Sequence, residues 1–215
     1  MIDKDALSAM KISTLLFLVL AVPASLPAQG WAGLPFGSSL AHVRSVLARQ
    51  PPICTFPQTG DEHDCTALTI EQLSGEGDYT IKPPFELWLG ALNSPLHFRT
   101  LLHFFNADRQ LARVDLTLDT DKHKTDGMNA SDLVNYAGEP VLNGLLGKYG
   151  VPLAISPACE ASEMRRLLQT RADVIDCNVL WKSSQNILIN LAWQYQPGTN
   201  TYSMLVRYST LQSGL

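Results

Sequence analysis

Charge is scarce in this chain. Only 17% of its 215 residues are charged, and the formal net charge is −4 at pH 7. No Lys/Arg cluster of the kind that marks a nucleic-acid face is present. No polybasic stripe would hold an anionic membrane surface. No apolar run reaches the roughly 20 residues that a spanning helix needs. Catalytic signatures are missing as well: there is no G-x-S-x-G, H-E-x-x-H, P-loop or G-x-G-x-x-G. The four cysteines include no C-x-x-C pair, which argues against a four-thiolate zinc site. No catalytic, cofactor-binding or metal-binding residue is therefore assigned, and a non-catalytic protein is expected.

What is present is apolar and patterned. Hydrophobic residues make up 46% of the chain. That is enough for one domain with a sizeable core, by the soft prior of about 100–200 residues per domain.

The N-terminus carries the most specific signal. Lys11 precedes the unbroken apolar run from Leu15 to Val22, and Pro23-Ala-Ser-Leu-Pro-Ala28 follows with small residues and helix breakers. Basic flank, short apolar core and small-residue exit read as a secretory signal peptide, with cleavage near Ala28. Asp3 and Asp5 are out of place in a basic leader, so translation is expected to start at Met10. The mature chain, 29–215, is then periplasmic or secreted.

Cys54, Cys65, Cys159 and Cys177 all lie after the leader. In an oxidising compartment an even number of cysteines implies disulfides. Of the three pairings of four cysteines, Cys54–Cys65 and Cys159–Cys177 close the shortest loops and are favoured.

The stretch from Phe98 to Asp119 organises the fold. Ala112, Val114, Leu116 and Leu118 alternate with Arg113, Asp115, Thr117 and Asp119, the period of a strand with one face in a core and one in water. FRTLLHFF before it is apolar on both parities, and NADRQ joins the two runs. A β-hairpin inside an antiparallel sheet follows.

On either side the pattern continues. Leu40, Val43, Val46 and Leu47 predict a helix over 39–49, with Ser38 or Ser39 as its cap. Strands are expected over 67–72 and 85–90. Residues 119–131 are polar and read as a linker. Leu142, Leu145, Leu146 and Tyr149 predict a helix over 140–149, with a first turn reaching back to Ser131. Met164, Leu167 and Leu168 predict a short helix. Strands over 179–182, 187–195 and 202–209 form a meander.

The fold class is α+β: antiparallel β-meanders with helices packed on one face. A helix-then-meander order occurs twice, in halves of about 31–120 and 131–210, within a single domain.

Two groups of polar residues invite a metal reading. Asp61, Glu62, His63 and Asp64 are adjacent but lack EF-hand spacing, and read as a solvated acidic turn. His97 and His103 are six residues apart in one strand, roughly 20 Å at about 3.3 Å per residue, too far to share an ion. His103, between Leu102 and Phe104, reads as a hydrogen-bonded core or edge histidine.

Gly37-Ser-Ser-Leu-Ala-His-Val43, a turn leading into a helix and a meander, resembles the opening of the SmpA/OmlA-type envelope proteins. The doubled order resembles the tandem architecture of the secreted β-lactamase inhibitor proteins. Leu34-Pro-Phe-Gly37 and Lys148-Tyr-Gly-Val-Pro152 are similar to segments of exported bacterial proteins. The chain departs from the SmpA/OmlA pattern in having no lipid-attachment cysteine and no Gly-x-Pro exit after the first helix. The resemblance implies a binding or assembly role and supplies no active-site residue.

The leading expectation is an exported interaction, inhibitor or assembly-accessory module with a protein partner in the envelope or outside the cell. The strand aromatics Trp88, Trp181, Trp193 and Tyr202 are candidates for its surface, because aromatics are enriched at binding hot spots. About two-thirds of the strand aromatics are nevertheless expected in the core, where aromatics commonly lie. The alternatives are an envelope hydrolase whose Ser/His/Asp set assembles only in three dimensions, and a protein holding a small ligand or metal in a cleft between the halves.

Overall fold

The structure is a computed structural model; it describes residues 30–51, 53–55, 64–73, 77–87, 96–105, 109–125, 127–170 and 172–210. Its centre is an eight-stranded antiparallel sheet built from two meanders. The first comprises β5 (Thr69–Gln72), β6 (Asp78–Leu87), β7 (Leu96–Phe105) and β8 (Gln110–Leu118). The second comprises β9 (Ala154–Ile155), β10 (Ile175–Lys182), β11 (Ile187–Gln196) and β12 (Thr201–Thr210). The strand order is β5-β6-β7-β8-β12-β11-β10-β9. The last strand of each meander is therefore the seam, with Val206 opposite Leu116 and Arg207 opposite Asp115. Short edge strands limit the exposed ladder on both sides.

Two small hairpins precede the sheet. One joins β1 (Gly30–Trp31) to β2 (Leu34–Pro35). The other joins β3 (Ile53–Thr55) to β4 (Asp64–Thr66).

Helix α1 (Leu40–Leu47) starts where the sequence places it. The Ser39 side chain accepts from the His42 N–H at 3.3 Å, and Val43 and Leu47 are buried. The second helical region is continuous through α3 (Ala130–Leu133), a π-helical turn (Val134–Gly138) and α4 (Glu139–Tyr149). Asn129 and Asp132 form a capping box at its start. Pro140 sits in the first turn of α4, directly after the π-helical turn; it has no N–H to donate to the preceding turn, and the helical ladder is irregular at that point. Gly138 allows a close approach: a Cβ there would lie 3.4 Å from the Tyr202 hydroxyl and 3.5 Å from the Trp193 ring. A 3-10 turn (Pro157–Cys159) and α5 (Ala161–Gln169) lie between β9 and β10. The Cys159–Cys177 disulfide ties that turn to β10, closing a separation of 18 residues.

Strand alternation sorts the side chains. Ile175, Cys177, Val179 and Trp181 of β10 are buried, as are Ile187 to Tyr195 at odd positions of β11 and Tyr202 to Tyr208 at even positions of β12. This face carries the helices. Trp181 Nε1 donates to the Gly150 carbonyl at 3.0 Å, and the Tyr149 and Tyr208 rings meet edge-on at 6.5 Å. The class is α+β.

Three sequence expectations need correction. Residues 119–131 are not a plain linker: they include α2 (Thr120–Thr125), whose His123 is fully buried. Its Nε2 accepts from the His97 backbone N–H at 3.3 Å. The polar composition of that helix hid it. The strand expected from Phe85 begins at Asp78. Lys82-Pro83-Pro84 resembles a strand break, but the ladder slips there, from Ile81 opposite Thr100 to Phe85 opposite Phe98. A proline costs no ladder bond at such an irregularity. The strand expected over 179–182 begins at Ile175.

Candidate functional site

The second face of the sheet is polar, and its centre holds a charged cluster. Two adjacent rows of cross-strand neighbours build it. In one row Asp78 of β6 stands opposite His103 of β7, His103 opposite Arg113 of β8, and Arg113 opposite Ser209 of β12. In the next, Leu101 stands opposite Asp115, Asp115 opposite Arg207, and Arg207 opposite Asn190. The pleat puts these alternate residues on one side.

Asp115 is the hub. Arg207 donates to it twice, from Nε to Oδ1 at 2.8 Å and from Nη2 to Oδ2 at 3.0 Å. Arg113 Nε lies 3.4 Å and His103 Nε2 3.3 Å from Oδ2. On its other side His103 Nδ1 lies 2.8 Å from Asp78 Oδ1, and Arg113 Nη2 approaches both ring nitrogens at 3.1 and 3.2 Å. Asp115 and His103 are buried, at 5% and 7% exposure. Burial alone would raise the Asp115 pKa. Hydrogen bonds from His103 and Arg207, with the charges of Arg207 and Arg113, outweigh it and lower the value to about 2. The carboxylate is therefore ionised throughout the neutral range. Its hydrogen bond, against a smaller effect of burial, raises the pKa of Arg207 in turn.

Both ring nitrogens of His103 face carboxylates. Ser209 lies two strands away through Arg113, roughly 10 Å at about 4.8 Å per strand. That is beyond the approximately 3 Å reach a nucleophile–base pair needs. Around the cluster the face mixes exposed polar groups (Arg99, Gln194, Asp176) with half-buried Leu101, Leu180, Leu188 and Leu205.

His103 apart, the residues singled out from sequence fall elsewhere. Trp181, Trp193 and Tyr202 are 1%, 3% and 6% exposed. They lie on the helix-covered face, so they fill the core and do not form a solvent surface. Their alternation with polar residues marked a buried parity rather than a binding one. Trp88 lies outside the described residues. Burial raises the pKa of the Tyr202 phenol well above its ordinary value. Cys54 stands directly opposite Cys65 in the β3–β4 ladder; their side chains lie outside the described residues. So do residues 61–63 of the acidic turn, while Asp64 begins β4. Among the described residues, no group of three or more His, Cys, Asp or Glu side chains could hold a metal ion. No described helix is long and apolar enough to cross a membrane.

Sequence reasoning missed Asp78, Arg113, Asp115 and Arg207 as a cluster. Arg113, Asp115 and Arg207 stood on the water-facing parity of their strands, and that was the available signal. Their convergence depends on the β8–β12 seam. Comparison of the chain with protein-family models, curated proteins and solved structures found no match.

Proposed function

We propose that this is an exported, non-catalytic interaction module of the inhibitor or assembly-accessory type. It would act in the periplasm or outside the cell and dock a folded protein on the polar face of its sheet. The observation that carries this reading is the asymmetry of the sheet. One face is covered by helices; the other presents half-buried leucines around the Asp78–His103–Asp115–Arg113–Arg207 cluster.

The dimensions are sufficient. Six strands have eight to ten residues each. At about 4.8 Å between strands and 3.3 Å per residue they span on the order of 800 Å². A standard protein–protein interface takes about 800 Å² from each partner. Arg207 is 37% exposed at its side chain, and Arg99 is 57% exposed. Both are planar donors of the type enriched at such surfaces. The Cys159–Cys177 disulfide and the N-terminal leader pattern support an oxidising destination. In the chain α1 precedes the β5–β8 meander with the β3–β4 hairpin between them, and α4 precedes β9–β12 with α5 inside that group. That order supports a tandem plan like that of the secreted β-lactamase inhibitor proteins and, more loosely, SmpA/OmlA-type envelope proteins.

The test is capture. Mature protein from Gln29, tagged and produced oxidised, serves as bait against envelope and secreted fractions. Bound proteins are identified by mass spectrometry. The reading expects one stoichiometric partner that Arg99→Glu and Leu205→Arg both release while circular dichroism stays unchanged. Retention of the partner by both variants would place the interface elsewhere.

A further inference from the structure

On the opposite, helix-covered side of the sheet lies a cavity of about 330 Å³. Its floor spans the seam, with Ile81, Phe98, Leu116 and Val206 contributed by β6, β7, β8 and β12. Its walls are Leu47 of α1 and Leu145 of α4. Protein interiors are close-packed, with few voids larger than a water molecule. This one is more than twice the roughly 150 Å³ of an engineered apolar cavity that stays dry and accepts benzene. Its size falls at the lower end of small-ligand pockets, about 300–1,000 Å³.

Two residues define what could occupy it. Gly144 lines the cavity from α4, and a Cβ built there meets no atom within 4 Å. A side chain added at this lining position would meet no obstacle at its first atom. Lys148, one turn further on, is exposed and is the one formally charged residue among the described residues of the lining. Among the described residues no Asp or Glu lines the cavity. Ala32, Gln50 and Pro51 are its other exposed members, so Lys148 stands among the residues of the mouth, with its ammonium over the Tyr149 ring, 5.3 Å from the centroid. An apolar interior with a single cation at its entrance selects an apolar chain carrying one negative group.

We propose that this cavity is a binding site for a medium-chain carboxylate, its alkyl chain between α1, α4 and the sheet and its carboxylate at Lys148. At about 30 Å³ per water-sized group, the space takes about ten to twelve non-hydrogen atoms. Decanoate matches that count. The site lies on the far side of the sheet from the polar face, so its test bears on the docking reading in neither direction.

Isothermal titration of the oxidised mature protein uses three probes below their micelle concentrations: decanoate, decan-1-ol and decyltrimethylammonium. The expected result is one-to-one binding of decanoate, at least about tenfold tighter than the ammonium analogue, a preference equal to one decade in Kd. Lys148→Glu should abolish that preference. Gly144→Leu should weaken decanoate at least about tenfold while raising the thermal midpoint, because leucine is the better helix former and fills the void. That rise separates a filled site from a misfolded one. Absence of saturable decanoate binding overturns the proposal. So does unchanged affinity in a folded Gly144→Leu protein, or an unchanged probe preference in Lys148→Glu.

Discussion

Asp115 and Arg207 are 92 residues apart in the chain and form a two-point ion pair, at 2.8 and 3.0 Å, across the seam between the two meanders. Asp115 is buried at the pair's base, while the Arg207 side chain keeps 37% of its surface. The pair therefore both locks the seam and presents a charged group on the polar face. Paired, planar geometry of this kind is the strongest form of surface ion pair.

The seam should weaken in acid. Asp115 ionises near 2 when folded and at 3.8 ordinarily. Its contribution is fully present above about pH 4 and is lost as pH falls through about 2. From the shift it amounts to about 2 kcal/mol. Urea unfolding of the wild type and Asp115→Asn should differ by about that amount at pH 7, and the difference should shrink toward pH 2. A pH-independent difference would show that the carboxylate charge is not what stabilises the seam.

The disulfide should carry a similar weight. Cys159–Cys177 closes a separation of 18 residues, for which the loop-entropy account gives about 3 kcal/mol. The double variant Cys159→Ala/Cys177→Ala should unfold at correspondingly lower urea with its far-UV spectrum retained. Non-reducing peptide mapping should recover this pair and also Cys54–Cys65, whose backbones face each other in the β3–β4 ladder. Recovery of any crossed pair would contradict the register.

Gly77 should resist substitution. It has φ +85°, and a Cβ would lie 2.5 Å from the Phe104 carbonyl oxygen. The Phe104 N–H donates to the Gly77 carbonyl at 2.8 Å, so the two backbones cannot separate without losing that bond. Gly77→Ala should cost at least about 2 kcal/mol through strain and displacement, read as a lower thermal midpoint. An alanine variant as stable as the wild type would refute that geometry.

Core and surface substitutions should separate cleanly. Trp181→Ala and Trp193→Ala remove side chains that are almost fully buried and should cost about 3–5 kcal/mol each, with lower folding yield. Neither should selectively weaken partner capture in the folded fraction. Arg99→Glu should do the reverse, with stability nearly unchanged and capture lost. Selective loss of capture in a stable tryptophan variant would return the interface to the aromatic face.

The sequence by itself determined the local elements whose side chains report a face at short range. Val43 and Leu47 marked α1, the alternation around Val114 marked β8, Ile189 to Tyr195 marked β11, and Cys159 with Cys177 marked a short loop. These are consequences of periods 3.6 and 2.0 and of loop length, which neighbouring residues carry. Long-range pairing is not written in that form. Arg113, Asp115 and Arg207 look like ordinary water-facing residues in their own strands, and only the β8–β12 register turns them into a buried network. Likewise Trp193 and Tyr202 could face a partner or a helix until the π-helical turn between α3 and α4, at Gly138, occupies their side. His123 is invisible as a core residue because Asp121, Lys122, Lys124 and Thr125 surround it with polarity. Tertiary structure decided these matters because each depends on which distant surface comes to lie opposite, and the chain meets that surface only on folding.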